Sequence, residues 1–205
     1  MIEFYAGNTP NNQRVAITLE ELGLPYTLHK IDVLGGGAKT PEFLKVNPNG
    51  LTPAIIDPKG ADGRPQTVLQ SCLICLYLAD KCGRFIPSGG ASRLKVLEAL
   101  FHIASDVMMV HSTTTTLTRF VPEKVPSVIG FYEQRLLAAF ANLDRRLGED
   151  EYLGGDLSVA DFAFYPVYHR RRALVDDVAK FPHLARWGAL MDERPACRRG
   201  IDVVQ

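Results

Sequence analysis

Two short polar stretches carry side chains able to hold an anion. In Thr9-Pro10-Asn11 a hydroxyl and an amide flank a proline that suits the first turn of a helix, where a missing N–H costs nothing. In Gln70-Ser71 a serine opens an apolar helical run, so its hydroxyl and the free backbone N–H groups there can bind a carboxylate. Taken alone, both stretches also read as ordinary helix caps. The sulfur-bearing residues offer less. Cys72-Leu73-Ile74-Cys75 has the spacing of a redox pair, but both cysteines fall inside an apolar helix, where cysteine is inert packing. Cys82 lies in the same segment and Cys197 is remote, which is no disulfide framework, so a reducing cytoplasm is the expected compartment. His29, His102, His111, His169 and His183 form no metal-ligand spacing with the cysteines, and no metal is expected.

The elements that must position these groups follow from periodicity and turn chemistry. Residues 2–6 form a short strand of bulky residues, and a helix from Pro10 to Leu22 stops at Gly23. Residues 26–31 alternate as a second strand, and Thr40-Pro41-Glu42 opens a short helix. Asn47-Pro48-Asn49-Gly50 is a dense turn signal. A strand follows from Pro53 to Asp57, pairing as a hairpin with residues 67–69. Ser71 then caps a helix ending at Gly83 that is apolar nearly all round, which predicts burial on more than one side. Beyond a Gly/Pro/Ser linker at 83–91 the strand signal nearly vanishes. Leu97, Leu100, Phe101, Ala104, Val107 and Met108 recur at helical spacing, as do Leu136, Phe140, Leu143 and Leu147. Ser158-Val159-Ala160-Asp161 has capping-box spacing, and a final helix is expected around 182–193. The chain is thus an α/β half, residues 1–82, joined through 83–91 to an all-α half, residues 92–205.

Composition excludes whole classes. The 205 residues are 46% hydrophobic and 22% charged, the norm for a folded globular chain rather than a disordered one. Lys+Arg and Asp+Glu both number 23, so the basic excess of a nucleic-acid binder is missing. No apolar run approaches the roughly 20 residues of a membrane span. The start, MIEFYAGNTP, has no basic region before an apolar stretch, which argues against a secretory signal.

Four stretches, in this order and at these intervals, resemble the cytosolic glutathione transferases: Thr9-Pro10-Asn11, Asn47-Pro48-Asn49-Gly50-Leu51-Thr52-Pro53, Gln70-Ser71 and Ser158-Val159-Ala160-Asp161. The resemblance spans almost the whole chain. It implies a thioredoxin-like N-terminal domain, an all-α helical C-terminal domain and a homodimer. The Thr-Pro-Asn start is similar to that of the Nu class, in which a Thr and an Asn replace the catalytic Tyr, Ser or Cys of other classes. Those proteins bind glutathione or its disulfide, and many reduce disulfides.

On this resemblance Thr9 and Asn11 are the catalytic pair, stabilising the glutathione thiolate. Lowering a thiol pKa from about 8.5 by about two units takes roughly 2.7 kcal/mol, within reach of one or two hydrogen bonds and a helix N-terminus. Tyr5, near the end of the first strand, is the rival activator. Asn49, Thr52, Pro53, Gln70 and Ser71 are implied to bind glutathione. A cis Pro53 presents the Thr52 backbone to the cysteinyl part, and Ser71 meets the γ-glutamyl end. A small hydrophobic electrophile is expected between the domains, with Met108, His111, Tyr168 and Arg172 as candidate contacts. The implied function is a cytoplasmic glutathione-dependent transferase or thiol-disulfide enzyme, peroxidase activity included. A dehalogenase, ether-cleaving enzyme, isomerase or non-catalytic glutathione-binding protein on the same fold is the alternative.

Overall fold

Turn residues and apolar alternation cut the first ninety residues into short elements. The computed structural model describes residues 1–175 and 180–205. These fall into two units, Met1–Ser88 with Asp192–Gln205, and Gly89–Met191. The first unit runs β1 (Ile2–Ala6), α1 (Pro10–Leu22), β2 (Tyr26–Lys30), α2 (Pro41–Val46), β3 (Ala54–Asp57), β4 (Gln66–Leu69) and α3 (Ser71–Cys82). Its sheet has the order β2-β1-β3-β4, with β1 parallel to β2 and both other pairings antiparallel. That is the thioredoxin-like arrangement.

Alternation along β1 divides the core. Ile2, Phe4 and Ala6 are buried on one face, while Tyr5 turns to the other and packs against Ala38, Phe43 and Ala54. Pro10 begins α1, Thr9 caps it, and Gly23 ends it with a left-handed φ of 67° that suits glycine. α1 packs on α3.

α3 departs from expectation at its start. Ser71 is its first helical residue, and the cap position belongs to Gln70, which makes no side-chain capping bond. The helix is buried or half-buried over a wide arc. Ile74, Cys75, Leu78 and Ala79 are buried, but Leu73 is 53% exposed.

The second unit is helical: α4 (Gly90–His102), α5 (Met108–Thr115), α6 (Pro126–Glu149), α7 (Val159–Arg170), α8 (Arg172–Val175) and α9 (Pro182–Asp192). π-helical turns follow α4 and α5, at Ile103–Val107 and Thr116–Phe120. The buried stripe here is Val96, Ala99, Leu100, Ile103 and Val107, whereas Phe101 is 64% exposed. Two apolar stripes lie side by side, one residue apart, and periodicity alone does not choose between them. The threonine-rich stretch sits in the helix because its hydroxyls bond back one turn, Thr114 to Val110 O and Thr115 to His111 O, both at 2.8 Å. Leu136, Phe140, Leu143 and Leu147 form the buried stripe of α6, as their spacing predicts.

The sequence pattern ends the last helix near residue 193 and assigns the tail to the helical half. A further helix, α10 (Pro195–Asp202), follows instead and packs on α1 of the first unit. Arg194 holds Glu21 through two bonds of 2.6 and 2.7 Å, and Gln13 Nε2 donates to Ile201 O at 3.3 Å. Gly200 lets the two backbones meet, since a Cβ there would lie 2.5 Å from Ile17 N. A local pattern carries no record of which distant helix its own helix will meet.

The centre of the second unit is a polar joint. Asp161 is fully buried, and both halves of the capping box form. Its Oδ2 accepts from Ser158 N at 2.9 Å and Ser158 Oγ at 3.1 Å. Its Oδ1 accepts from Leu153 N at 3.0 Å and Trp187 Nε1 at 2.9 Å. Burial pushes the carboxyl pKa above its ordinary value against the pull of these four donors. Asp161→Ala strands buried N–H groups of three residues and should cost about 3–5 kcal/mol. A thermal melt should show the Tm falling by about 6–20 °C. Asp161→Asn, which keeps the volume and one acceptor, should fall less.

Candidate functional site

The polar stretches singled out in the sequence converge inside the first unit, where the start of α1, the turn before β3 and the start of α3 meet. The link is a residue the sequence reading passed over. Asn12 is fully buried in the first turn of α1. Its Nδ2 donates to Thr9 Oγ1 at 2.8 Å and to Thr52 Oγ1 at 3.0 Å, forty positions away. Asn12 N also reaches Thr9 Oγ1, at 3.4 Å. A hydroxyl oxygen has two acceptor positions and one proton. Both acceptor positions of Thr9 are taken by Asn12, so its O–H is left to donate to a third group. Thr9 therefore caps the helix and still has a proton to offer. The doubled asparagine after Pro10 was the signal available in the sequence.

The Thr52–Pro53 peptide bond is cis, as the resemblance implies. The Thr52 N–H and carbonyl make no hydrogen bond among the described residues, so both are available to an extended peptide. Asn49 is exposed on the preceding turn, with its N–H on Asn47 Oδ1 at 3.1 Å and its carbonyl held by Lys39 Nζ at 3.3 Å.

At the start of α3, Gln70 is exposed and holds φ 70° and ψ 112°, a left-handed backbone unusual for a residue with a side chain. This bend sets Ser71 at the first turn of a helix that has no side-chain cap and no acidic residue in that turn. The first N–H groups and the helix dipole there favour an anion. Ser71 Oγ donates to Asn11 Oδ1 at 3.4 Å, which ties the α3 start to the α1 start. Behind it lies Arg14, 1% exposed, whose Nη1 donates to Ser71 Oγ at 3.4 Å and to Cys72 Sγ at 3.1 Å. Arg14 too was missed, because an arginine on an amphipathic helix reads as a surface residue.

Thr9, Asn11, Thr52, Pro53, Gln70 and Ser71 thus belong to one unit and surround one place, with Asn49 on the adjoining turn. Tyr5 stands apart from it. Its ring stacks on His29 at 4.4 Å and lines a groove with Thr40 and Phe43 on the α2 face of the sheet. Cys75 is fully buried, and burial pushes its thiol up to about 12. All four cysteines are free. The candidates for a second substrate lie in the other unit. Met108, His111 and Tyr168 are buried there, with the Tyr168 ring 5.4 Å from Trp187, and the Arg172 guanidinium lies 5.4 Å from the Tyr168 ring. Arg171 donates to His111 Nδ1 at 3.3 Å. Among the described residues no group of three or more His, Cys, Asp or Glu is placed to hold a metal ion. No helix among them is long and apolar enough to cross a membrane.

Known proteins resemble the chain along most of its length. A model of the glutathione S-transferase N-terminal domain matches residues 9–81, and one of the C-terminal domain matches residues 116–198. The disulfide-bond oxidoreductase YfcG of Escherichia coli (strain K12) is 33% identical over 98% of this chain and 94% of its own length. The glutathione transferase URE2P6 from Phanerochaete chrysosporium, solved with oxidized glutathione, superposes with a TM-score of 0.90 at 33% identity, over 99% of this chain and 96% of that one. A glutathione transferase family member from Pseudomonas fluorescens pf-5, solved with two glutathione bound, gives a TM-score of 0.90 at 30% identity, over 98% and 92%.

The Asn12 bridge can be tested directly. Asn12→Ala removes the donor shared by Thr9 and Thr52 and leaves a small buried gap. Chemical denaturation should show a loss of about 1–3 kcal/mol. Asn12→Asp, which cannot donate to either hydroxyl when ionised, should be at least as damaging.

Proposed function

Because the chain belongs to the glutathione transferase family, we propose that the cluster at the start of α1 binds glutathione and uses its thiolate as a nucleophile. The observation that carries this reading is the Thr9 hydroxyl, whose acceptor positions are both filled by Asn12 and whose proton is free to donate. A sulfur placed at the mouth of α1 receives that proton's hydrogen bond, the Asn11 amide and the positive end of a helix with no acidic residue in its first turn. Each favours thiolate over thiol. The unpaired Thr52 backbone suits the cysteinyl peptide unit, Ser71 suits the γ-glutamyl carboxylate, and Gln70 and Asn49 flank the ligand.

The thiolate then attacks in one of two ways. At an electrophilic carbon, sulfur forms the new bond and the leaving group departs with the electron pair. At a disulfide, sulfur bonds one sulfur and expels the other as thiolate, giving a mixed disulfide. The second reading is favoured by relatives of E. coli named disulfide-bond oxidoreductases, YfcG among them. The Thr9-Pro10-Asn11 start supports a place with the Nu class. A homodimer in the cytoplasm, with a small hydrophobic electrophile as the alternative second substrate, completes the proposal.

Glutathione should raise the Tm, because a ligand bound only by the folded state stabilises it by about 2.7 kcal/mol at a hundred times Kd. No shift at millimolar glutathione, together with no heat of binding, rejects the assignment. For catalysis, kcat/KM should be followed against pH with a small disulfide and with an aryl halide. Thr9→Ala should cut it roughly 10- to 150-fold at neutral pH and move the alkaline-rising limb upward, with partial recovery at high pH. Tyr5→Phe should leave the profile near that of the parent. A crippled Tyr5→Phe beside a healthy Thr9→Ala reverses the assignment.

A further inference from the structure

Arg14 is a buried cation without a counter-charge. It is 1% exposed, and among the described residues its Nε and Nη2 have no hydrogen-bond partner and Nη1 touches only the neutral Ser71 Oγ and Cys72 Sγ. It enters no ion pair among the described residues. A buried charge left this way is costly, and the neighbourhood adds to the cost. The positive ends of α1 and α3 both lie close by, and neither helix has an acidic residue in its first turn. The interior behind Ser71 is therefore short of one negative charge.

The hydrogen bonds say where that charge belongs. Nη1 donates to Ser71 Oγ, so the serine proton must point away from Arg14. It points to Asn11 Oδ1 at 3.4 Å, a long bond that a better acceptor displaces. A carboxylate oxygen is such an acceptor. An ammonium or amide N–H in the same place would put a second donor beside the Arg14 guanidinium and offer no acceptor to the serine proton.

We propose that Arg14 is the positioning and specificity-determining residue of the subsite at Ser71: it fixes Ser71 as a donor and supplies the buried positive charge that the α-carboxylate of a γ-glutamyl ligand offsets. This rests on the reading that Ser71 meets that carboxylate. Arg14 does not touch the ligand; it acts through Ser71 and through its field.

The test is calorimetric titration of the full chain with glutathione and with γ-aminobutyryl-cysteinylglycine, which lacks only the α-carboxylate. The parent protein should bind glutathione at least tenfold more tightly than the analogue. Arg14→Met should weaken glutathione about ten- to a hundredfold and leave the analogue almost unchanged, so that the preference collapses. Arg14→Lys keeps the charge and should retain part of the preference. A role limited to packing would weaken both ligands alike, and that result overturns the proposal. So does an Arg14→Met protein that still prefers glutathione as the parent does. Should Arg14→Met fail to fold, the parent's own preference and Arg14→Lys decide: equal affinity of the parent for the two ligands, or a fully preserved preference paired with no loss of affinity in Arg14→Lys, counts against it. A parent that binds neither ligand rejects the glutathione site itself, and with it this subsite. Failure of the site and failure of Arg14's role are thereby told apart.

Discussion

One buried amide holds the site together. Asn12 has two amide protons, and they go to two hydroxyls that the sequence places forty residues apart. Without that pairing the start of α1 and the turn before β3 are joined only through the β1–β3 ladder behind them, where Tyr5 pairs with Ala54. With it, Thr9 and Thr52 share one donor and keep a fixed separation. The same bonds decide the polarity of Thr9, since a hydroxyl that accepts twice can only donate to what comes next. Asn12 is fully out of water, where its bonds are stronger and their loss dearer.

The second organising feature is an imbalance of charge within a neutral chain. The formal net charge is zero, yet the starts of two helices and one buried arginine gather positive potential in one small volume. Such local asymmetry is invisible in composition. It arises because helix dipoles add no residue to the count and because Arg14 points inward.

What the sequence made legible was what local rules govern. Pro10 and Gly23 fixed the ends of α1, the box at Ser158 and Asp161 formed as its spacing predicts, and the stripe along α6 faces the core. Thr9, Thr52, Pro53, Gln70 and Ser71 do come together. The failures share a cause of another kind. Asn12 and Arg14 look like solvent-facing residues on a helix until their partners from residues 52 and 71 arrive. The choice between two adjacent stripes on α4 likewise depends on what packs there. Each needs knowledge of contacts between distant segments, which periodicity and capping do not hold.

The return of α10 to α1 makes the second unit an insertion within the first. This ordering matters while the chain is being made. A ribosome delivers residues 1–88 first, but the groove on α1 that Gly200 and Ile201 will fill stays open until the last dozen residues emerge. The inserted helices can fold around Asp161 and Trp187 in the meantime. The unit encoded first is thus the last to be completed, and a chain stopped short of residue 195 would carry every residue around Thr9 and Ser71 yet leave the outer side of α1 uncovered.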